Sequence, residues 1–232
     1  MSHGTDSVFD EPALRAPARP VDAVLHEVWS EPGRMPSSHP AVGTLTYADM
    51  LSERWQQATP CVSWLVVAAL ALAAGPFAVL AALLKTSAAH IAIAAVIMAP
   101  LIEELGKAAA PLIVLERWPY RFLSSTQLVF ACAVSGAIFA GIENLLYLKI
   151  LLRQPDAALV LWRWTVCVAL HVGCSLIAGM GLRRIWLISR ATLTRPDVSL
   201  AAPYFITAMI LHGSYNMLVL LLAITQAEGM SP

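Results

Sequence analysis

The amino-acid sequence predicts an all-α, polytopic membrane protein, and its composition and its long apolar segments are the two reasons. Hydrophobic residues make up 58% of the 232 residues and charged residues only 13%, and the mean hydropathy is +0.68. A water-soluble domain usually carries charges on about a quarter of its residues. The formal net charge is zero, with 15 basic and 15 acidic residues, so the chain lacks the basic excess that is typical of nucleic-acid binding.

Five apolar segments are each long enough for the roughly 20 residues that a membrane-spanning helix needs. They cover residues 62–84, 86–115, 127–152, 158–182 and 201–225. Each is expected to be helical, because unpaired backbone amides find no water in lipid. The second is long enough to break at Pro100, so we expect about five spans, or six if it breaks. The third carries Ala133, Ala137 and Gly141 at four-residue steps, the small-residue pattern of closely packed membrane helices.

The remaining chain predicts an N-terminal extension and a short tail. Residues 1–60 hold seven prolines, scattered charges and no long apolar run, which is typical of a polar, partly disordered cytoplasmic segment. Two short amphipathic stretches within it, 21–29 and 47–55, are candidate helices. The helical membrane domain, which we expect to carry the activity, covers 61–226, and the tail covers 227–232.

Basic residues predict the orientation, because Lys and Arg are retained on the cytoplasmic side of a membrane. Ten arginines lie before the first span, after the second or after the fourth: Arg15, Arg19, Arg34, Arg54, Arg117, Arg121, Arg183, Arg184, Arg190 and Arg195. Four basic residues lie on the opposite side: Lys85, Lys149, Arg153 and Arg163. This asymmetry predicts a cytoplasmic N-terminus and an external C-terminus.

Four of the five spans carry polar residues that can do chemistry. A charge at the bilayer centre costs at least about 2.5 kcal/mol on insertion scales, so intramembrane charges usually line a polar interior or a functional site. The polar set comprises Glu103, Glu104 and Lys107 of the second span, Glu143 and Asn144 of the third, His171 and Ser175 of the fourth, and His212 and Asn216 of the fifth, and the apolar Phe139 lies one turn before Glu143 as a supporting residue.

Positions along the spans predict which of these residues meet. With a rise of about 1.5 Å per residue, the two adjacent glutamates and the two histidines lie near the midpoints of their spans, in the cytoplasmic half. Glu143 lies about 10 Å from the glutamate pair along the membrane normal by the same rise. It therefore belongs to a supporting shell, unless the third helix is displaced. Asn216 lies one turn outward of His212.

Buried, adjacent carboxylates favour hydrolytic chemistry. Glu103 and Glu104 cannot both ionise cheaply, so they should share a proton, with one of them held charged by Lys107. One carboxylate is then a candidate general base that activates water. The two histidines can complete a His/His/Glu zinc site with Glu103, or they can stabilise an oxyanion together with Asn216. The residues alone leave this choice open.

Each residue also has a purely structural interpretation. An intramembrane histidine often only packs and forms hydrogen bonds, and Ser175 can bond a carbonyl of its own helix. Glu143 can pair with Lys149, and Lys107 can simply neutralise Glu103. Two histidines and two carboxylates at one depth are nevertheless costly to keep without use. Their combination therefore favours a functional site.

The order and spacing of these motifs resemble those of the PrsW family of intramembrane proteases, distant relatives of the CAAX prenyl endopeptidases and of bacteriocin-immunity membrane proteins. The shared motifs lie within about residues 95–220 and read Glu103-Glu104-x-x-Lys107, Phe139-x-x-x-Glu143-Asn144, His171 and His212-x-x-x-Asn216. In the wider superfamily the second motif has histidine in place of Glu143. Related endopeptidases are described as using glutamate and histidine without a metal, so the resemblance leaves zinc as one of two alternatives.

This resemblance implies a membrane-embedded endopeptidase of the bacterial cytoplasmic membrane, described in the family as a metalloprotease, that cuts a membrane-protein substrate near a helix end. Some members make the first cut in a membrane-anchored anti-sigma factor during envelope stress. The resemblance implies Glu103, Glu104 and His171 as essential residues, with His212 and Asn216 as further candidates.

Two other classes of protein fit the same residues. In a proton-coupled transporter, the Glu, Lys and His side chains would relay protons, but the spans show no inverted repeat of broken helices. A non-catalytic scaffold or immunity-type protein would use the same fold for binding alone.

Overall fold

The computed structural model describes residues 46–77, 79–80, 94–152 and 154–229, and these are mostly helical, with no β-strand among them. The α-helices are α1 Tyr47–Gln57, α2 Pro60–Leu72, α3 Ala99–Arg117, α4 Ser125–Leu146, α5 Ala157–Trp162, α6 Val168–Thr192 and α7 Ala202–Gly229. The predicted all-helical fold is confirmed. The candidate helix at 21–29 lies outside the described residues.

Four helical stretches are long and apolar enough to cross a membrane: Pro60–Phe77, Ser125–Leu151, Ala157–Thr192 and Val198–Thr225. They correspond to the first, third, fourth and fifth predicted segments. The second segment contains α3, which carries five charged residues and is correspondingly less apolar; residues 86–93 of that segment lie outside the described part of the chain. The predicted count of five or six spans is therefore only approximate, and the predicted orientation stays a prediction.

Helical structure runs through Pro100 without a break, from Ala94 to Arg117. Pro100 lies in the first turn of α3, where the N–H that proline lacks would have had no partner within the helix. The π-helical turn Ala94–Met98 precedes it. The break considered at Pro100, with its extra half-helix, is thus not seen within the described residues.

Two further π-helical turns interrupt the long helices, Tyr147–Leu151 after α4 and Arg163–Cys167 between α5 and α6. A π turn bonds residue i to residue i+5 and therefore takes up one more residue than an α turn. The second of these turns joins α5 and α6 into one helical stretch, Ala157–Thr192. It changes which residues of that stretch share a face.

Helix α1 packs on the membrane helices. It begins at a capping box in which the Asp49 N–H donates to Thr46 Oγ1, and both the hydroxyl and the N–H of Thr46 donate to the Asp49 carboxylate. These hydrogen bonds lower the pKa of Asp49. Leu51 is fully buried, and Trp55 Nε1 donates to the Phe122 carbonyl oxygen at 3.2 Å. The candidate helix at 47–55 is present, and the domain boundary at residue 60 stays a prediction.

Close packing of α4 against α6 depends on glycines. A Cβ built on Gly136 would lie 2.8 Å from the His171 carbonyl oxygen, so only glycine fits there without movement. The predicted small-residue pattern through Ala137 and Gly141 marks the wrong face of α4. Ala137 is exposed, and a Cβ on Gly141 would meet nothing within 4 Å among the described residues. Periodicity revealed the small residues but not which of them face a partner.

The close approach of α7 to the π turn Ala94–Met98 predicts a stability difference between two glycine variants. A Cβ on Gly213 would lie 2.6 Å from the Val96 carbonyl oxygen, a backbone atom that cannot rotate away. We expect Gly213→Ala to lower the free energy of unfolding by about 1–3 kcal/mol. The matched control Gly141→Ala, which meets open space, should raise it by about 0.5–1 kcal/mol, because alanine favours a helix interior over glycine. Unfolding in mixed micelles measures both, and equal effects would contradict the close approach.

Candidate active site

Helices α3, α4, α6 and α7 bring six ionisable side chains into one buried group, called the central cluster below. Its members are Glu103, Glu104, Lys107, Glu143, His171 and His212, none of which is more than 4% exposed. A buried charge is tolerated only when it is paired and hydrogen-bonded. The contacts among these six side chains therefore offset the free-energy cost of burying them.

Glu104 is fixed through one of its two oxygens. Its Oε1 accepts from Lys107 Nζ at 2.6 Å and from His212 Nδ1 at 2.7 Å. Its Oε2 is buried and has no hydrogen-bond partner among the described residues. The structural interpretation of the sequence made Lys107 the neutralising partner of Glu103, whereas the short ion pair joins Lys107 to Glu104, three residues away.

Lys107 links α3 to α6. Its ammonium lies 3.2 Å from His171 Nδ1 and 5.3 Å from the centre of the Phe139 ring. The same ring contacts the His171 imidazole, with 5.4 Å between ring centres. Ser135 of α4 donates from its hydroxyl to the Lys107 carbonyl oxygen at 2.7 Å. Phe139 thus forms an apolar wall beside the lysine and the histidine.

Glu143 is in direct contact with the cluster, with its Oε2 lying 3.0 Å from His171 Nε2. From its position in the sequence, Glu143 was expected to lie about 10 Å from the glutamate pair along the membrane normal. That expectation did not include a direct contact between Glu143 and a histidine. The helix that carries His171 continues to Thr192 rather than ending near 182, so the midpoint of the apolar segment was a poor guide to depth. In the part of the chain that the structure describes, Lys149 is exposed and is not paired with Glu143. Glu143 Oε2 also lies 3.4 Å from Arg163 Nη2.

Three side chains of the central cluster can offer ligands to one metal ion. Glu103, His171 and His212 provide ligand atoms that all lie within 4.8 Å of one another. His212 Nε2 is 3.6 Å from Glu103 Oε2, close to the roughly 3.4 Å expected between two ligands of a tetrahedral zinc. The other nitrogen of His212 donates to Glu104, and a carboxylate bonded in this way commonly orients a metal-binding histidine.

His171 differs from His212 in that both of its ring nitrogens have partners, Lys107 at Nδ1 and Glu143 at Nε2. Binding of a metal by His171 therefore replaces one of these two contacts. The donor set and the spacing of the three residues fit a metal ion, with this one rearrangement.

The remaining predicted residues lie around the cluster. Asn144 donates to the Arg163 carbonyl oxygen at 2.8 Å. Ser175 is buried against α4, and its hydroxyl has no hydrogen-bond partner among the described residues. The hydrogen bond to a carbonyl of its own helix, which the structural interpretation allowed, is therefore not present there. Asn216 is partly buried, one turn along α7 from His212. The catalytic roles assigned to all these residues stay predictions.

Sequence reasoning missed two contributors, Ser135 and Arg163. Ser135 carries no signal, because a serine inside an apolar helix most often bonds a nearby backbone carbonyl. Arg163 did carry a signal, because it is a charge inside an apolar segment, but that charge was used only to predict the orientation in the membrane.

The chain matches a known protein family. The sequence model described as "PrsW family intramembrane metalloprotease" matches residues 53–230, a range that includes every residue of the central cluster. No curated protein and no solved structure matches the chain significantly. The chain belongs to the PrsW family of intramembrane metalloproteases, and it is therefore a hydrolase with several membrane helices that acts on membrane proteins.

Proposed function

We propose that the central cluster hydrolyses peptide bonds of membrane-anchored proteins, with Glu104 as the general base and with Glu103, His171 and His212 as ligands of a zinc ion. The observation that carries this proposal is the uneven bonding of Glu104. Two donors hold its Oε1, and its Oε2 has no hydrogen-bond partner among the described residues. A general base needs such an oxygen, fixed in position and able to accept a proton from water.

The chain's own residues supply the proton transfers. Glu104 Oε2 takes a proton from the attacking water and returns it to the nitrogen of the leaving peptide. Lys107 and His212 hold the carboxylate in place while this happens. A bound zinc ion would activate the water and polarise the scissile carbonyl. Asn216 is the proposed amide donor to the oxyanion, together with the histidines if no metal takes part.

The substrate follows from the setting of the site. A transmembrane helix bonds its own peptide groups internally, so cleavage is expected near a helix end, where the backbone is open. We propose a membrane-anchored anti-sigma factor of the bacterial cytoplasmic membrane as the substrate. This finer assignment draws on the family resemblance, whereas the bonding of Glu104 supports the chemistry.

Metal content gives one prediction. We expect the purified protein to bind about one zinc ion per chain and the His212→Gln variant to lose most of it, because the triad then keeps only two ligands. Elemental analysis after dialysis against trace zinc measures both. Cys61→Ser serves as the control, since Cys61 is exposed and is not part of the triad. Equal zinc contents in the parent and in His212→Gln would contradict the ligand assignment.

Reconstitution tests the activity itself. The parent and the Glu104→Gln variant would be placed in liposomes with a library of single-span segments, including those of anti-sigma factors, and new peptide termini would be identified by mass spectrometry. Cleavage by the parent alone supports the proposal. Proton-coupled flux without cleavage would instead indicate a transporter, and binding of a segment without cleavage would indicate a scaffold.

A further inference from the structure

Arg163 lies on the far side of the central cluster and has no role in the mechanism above. It begins the π turn Arg163–Cys167 inside an apolar helical stretch, and its side chain is only 13% exposed. A charged side chain in such a position usually has a function and a specific partner.

Among the described residues, the hydrogen-bond and ring partners of the Arg163 side chain lie at the end of α4 and at the start of the π turn that follows it. Its Nε donates to Asn144 Oδ1 at 3.0 Å, and its Nη2 donates to Glu143 Oε2 at 3.4 Å. Its guanidinium stacks over the Tyr147 ring, 4.0 Å from the ring centre, a cation–π contact. Asn144 also donates to the backbone carbonyl oxygen of Arg163 at 2.8 Å. Three neighbouring side chains thus hold the guanidinium in one place.

The π turn explains how Arg163 comes to share a face with His171. Eight residues separate the two, and in a regular α-helix two turns take about seven residues. The π turn takes up one additional residue, so that two turns here span about eight. Both side chains therefore point toward α4, where Glu143 Oε2 contacts both of them.

The contacts of His171 determine which of its nitrogens carries the proton. Arginine can only donate hydrogen bonds, and a carboxylate can only accept them. Glu143 therefore accepts from His171 Nε2, which must carry the hydrogen, and Nδ1 then has a free electron pair. Lys107 is a donor, and it lies 3.2 Å from that Nδ1. The partners on both sides specify the same tautomer.

We propose that Arg163 is a positioning residue: by holding Glu143, it fixes His171 in the tautomer with hydrogen on Nε2. Nδ1 then keeps its electron pair, which faces Lys107 here, and this contact is the one that a metal ion bound by His171 would replace. The effect of this tautomer on hydrolysis rests on the proposed function, but the tautomer itself can be measured without any substrate.

Nitrogen NMR of histidine-labelled protein in lipid bilayers tests the proposal, since the ring nitrogens of the two tautomers resonate at different shifts. The signals of His171 are those that disappear in His171→Gln. We expect a single tautomer in the parent and a mixture in Arg163→Gln. Arg163→Lys keeps the charge but loses the fork that bonds Asn144 through Nε and Glu143 through Nη2, so it should lie between them. Lys149→Gln removes an exposed positive charge from the same end of α4 and should leave the His171 signals unchanged.

Unchanged His171 signals in Arg163→Gln, or equal changes in Lys149→Gln, would overturn the proposal. If the Gln variant fails to fold, the Lys variant decides, because the proposal requires an intermediate shift and an unchanged spectrum contradicts it. On a cleaved substrate, we expect kcat to fall about 10- to 100-fold in Arg163→Gln, as is typical when the partner of a metal-binding histidine is lost, with little change in KM. If Arg163→Gln shows the tautomer mixture, the parent shows a single tautomer and the parent cleaves no substrate, the proposed function is refuted and the role of Arg163 stays intact.

Discussion

Glu104→Gln is expected to lower the rate of peptide hydrolysis by about 10²- to 10⁴-fold, the usual contribution of a general base. The amide cannot take a proton from water, but its oxygen can still accept from Lys107 and His212, which now bond Oε1. The fold should therefore remain, and the loss should appear in kcat rather than in binding. Initial rates on a reconstituted substrate, with a melting curve for each protein, measure this.

Glu116→Gln provides the matched control. It makes the same substitution on the same helix, but Glu116 is exposed and lies more than three turns from Glu103. Its rate should equal that of the parent. If both variants cleave at the rate of the parent, Glu104 is not the general base.

Lys107→Met is expected to lower the free energy of unfolding by about 3–5 kcal/mol, the cost of removing one partner of a buried ion pair. Lys107 is 2% exposed and lies 2.6 Å from Glu104 Oε1. Without the lysine, the buried Glu104 carboxylate must either stay charged without its ion-pair partner or take up a proton, and both cost free energy. Unfolding by denaturant in mixed micelles measures the change.

The double variant Lys107→Met/Glu104→Gln separates the ion pair from the packing of the lysine. Since it also removes the stranded carboxylate, it should be more stable than the sum of the two single changes predicts, by about 0.5–3 kcal/mol, the range found for residues in contact. Simple additivity would show that the two side chains are not coupled.

Much of the site could be predicted because charges inside apolar segments are rare and costly. Glu104 and His212 are more than 100 residues apart in the sequence, yet their similar depth in two predicted spans indicated a contact, and the structure has one at 2.7 Å. Burial of the same residues also followed from their surroundings. Their position along each helix was therefore enough to group them.

The links made by Glu143 and Arg163 could not be predicted by the same reasoning. Depth was estimated from the ends of apolar segments, but the helix of His171 extends beyond such an end. The shared face of Arg163 and His171 depends on a π turn, and no pattern in the sequence predicted that turn. In a regular α-helix these two side chains would lie about 80° apart around the axis, and the π turn reduces that offset.

The number of spans shows a related difficulty. The segment that contains α3 is long enough to cross a membrane, but the charges that make it functional also lower its hydropathy. A count by composition therefore gives four spans among the described residues, whereas segment length gave five. The charges that a functional site needs therefore make this helix harder to recognise as a membrane span from its composition.

The most direct test of the central claim compares protein N-termini in membranes of cells that express the parent with those in cells that express Glu103→Gln/Glu104→Gln, at rest and under envelope stress. Terminal-peptide mass spectrometry would identify the fragments, and Glu116→Gln would serve as the control. We predict termini, near the end of a membrane helix of another protein, that are present with the parent and with the control but absent with the double variant. Identical terminal profiles in all three, under both conditions, would contradict the assignment of the central cluster as a proteolytic site.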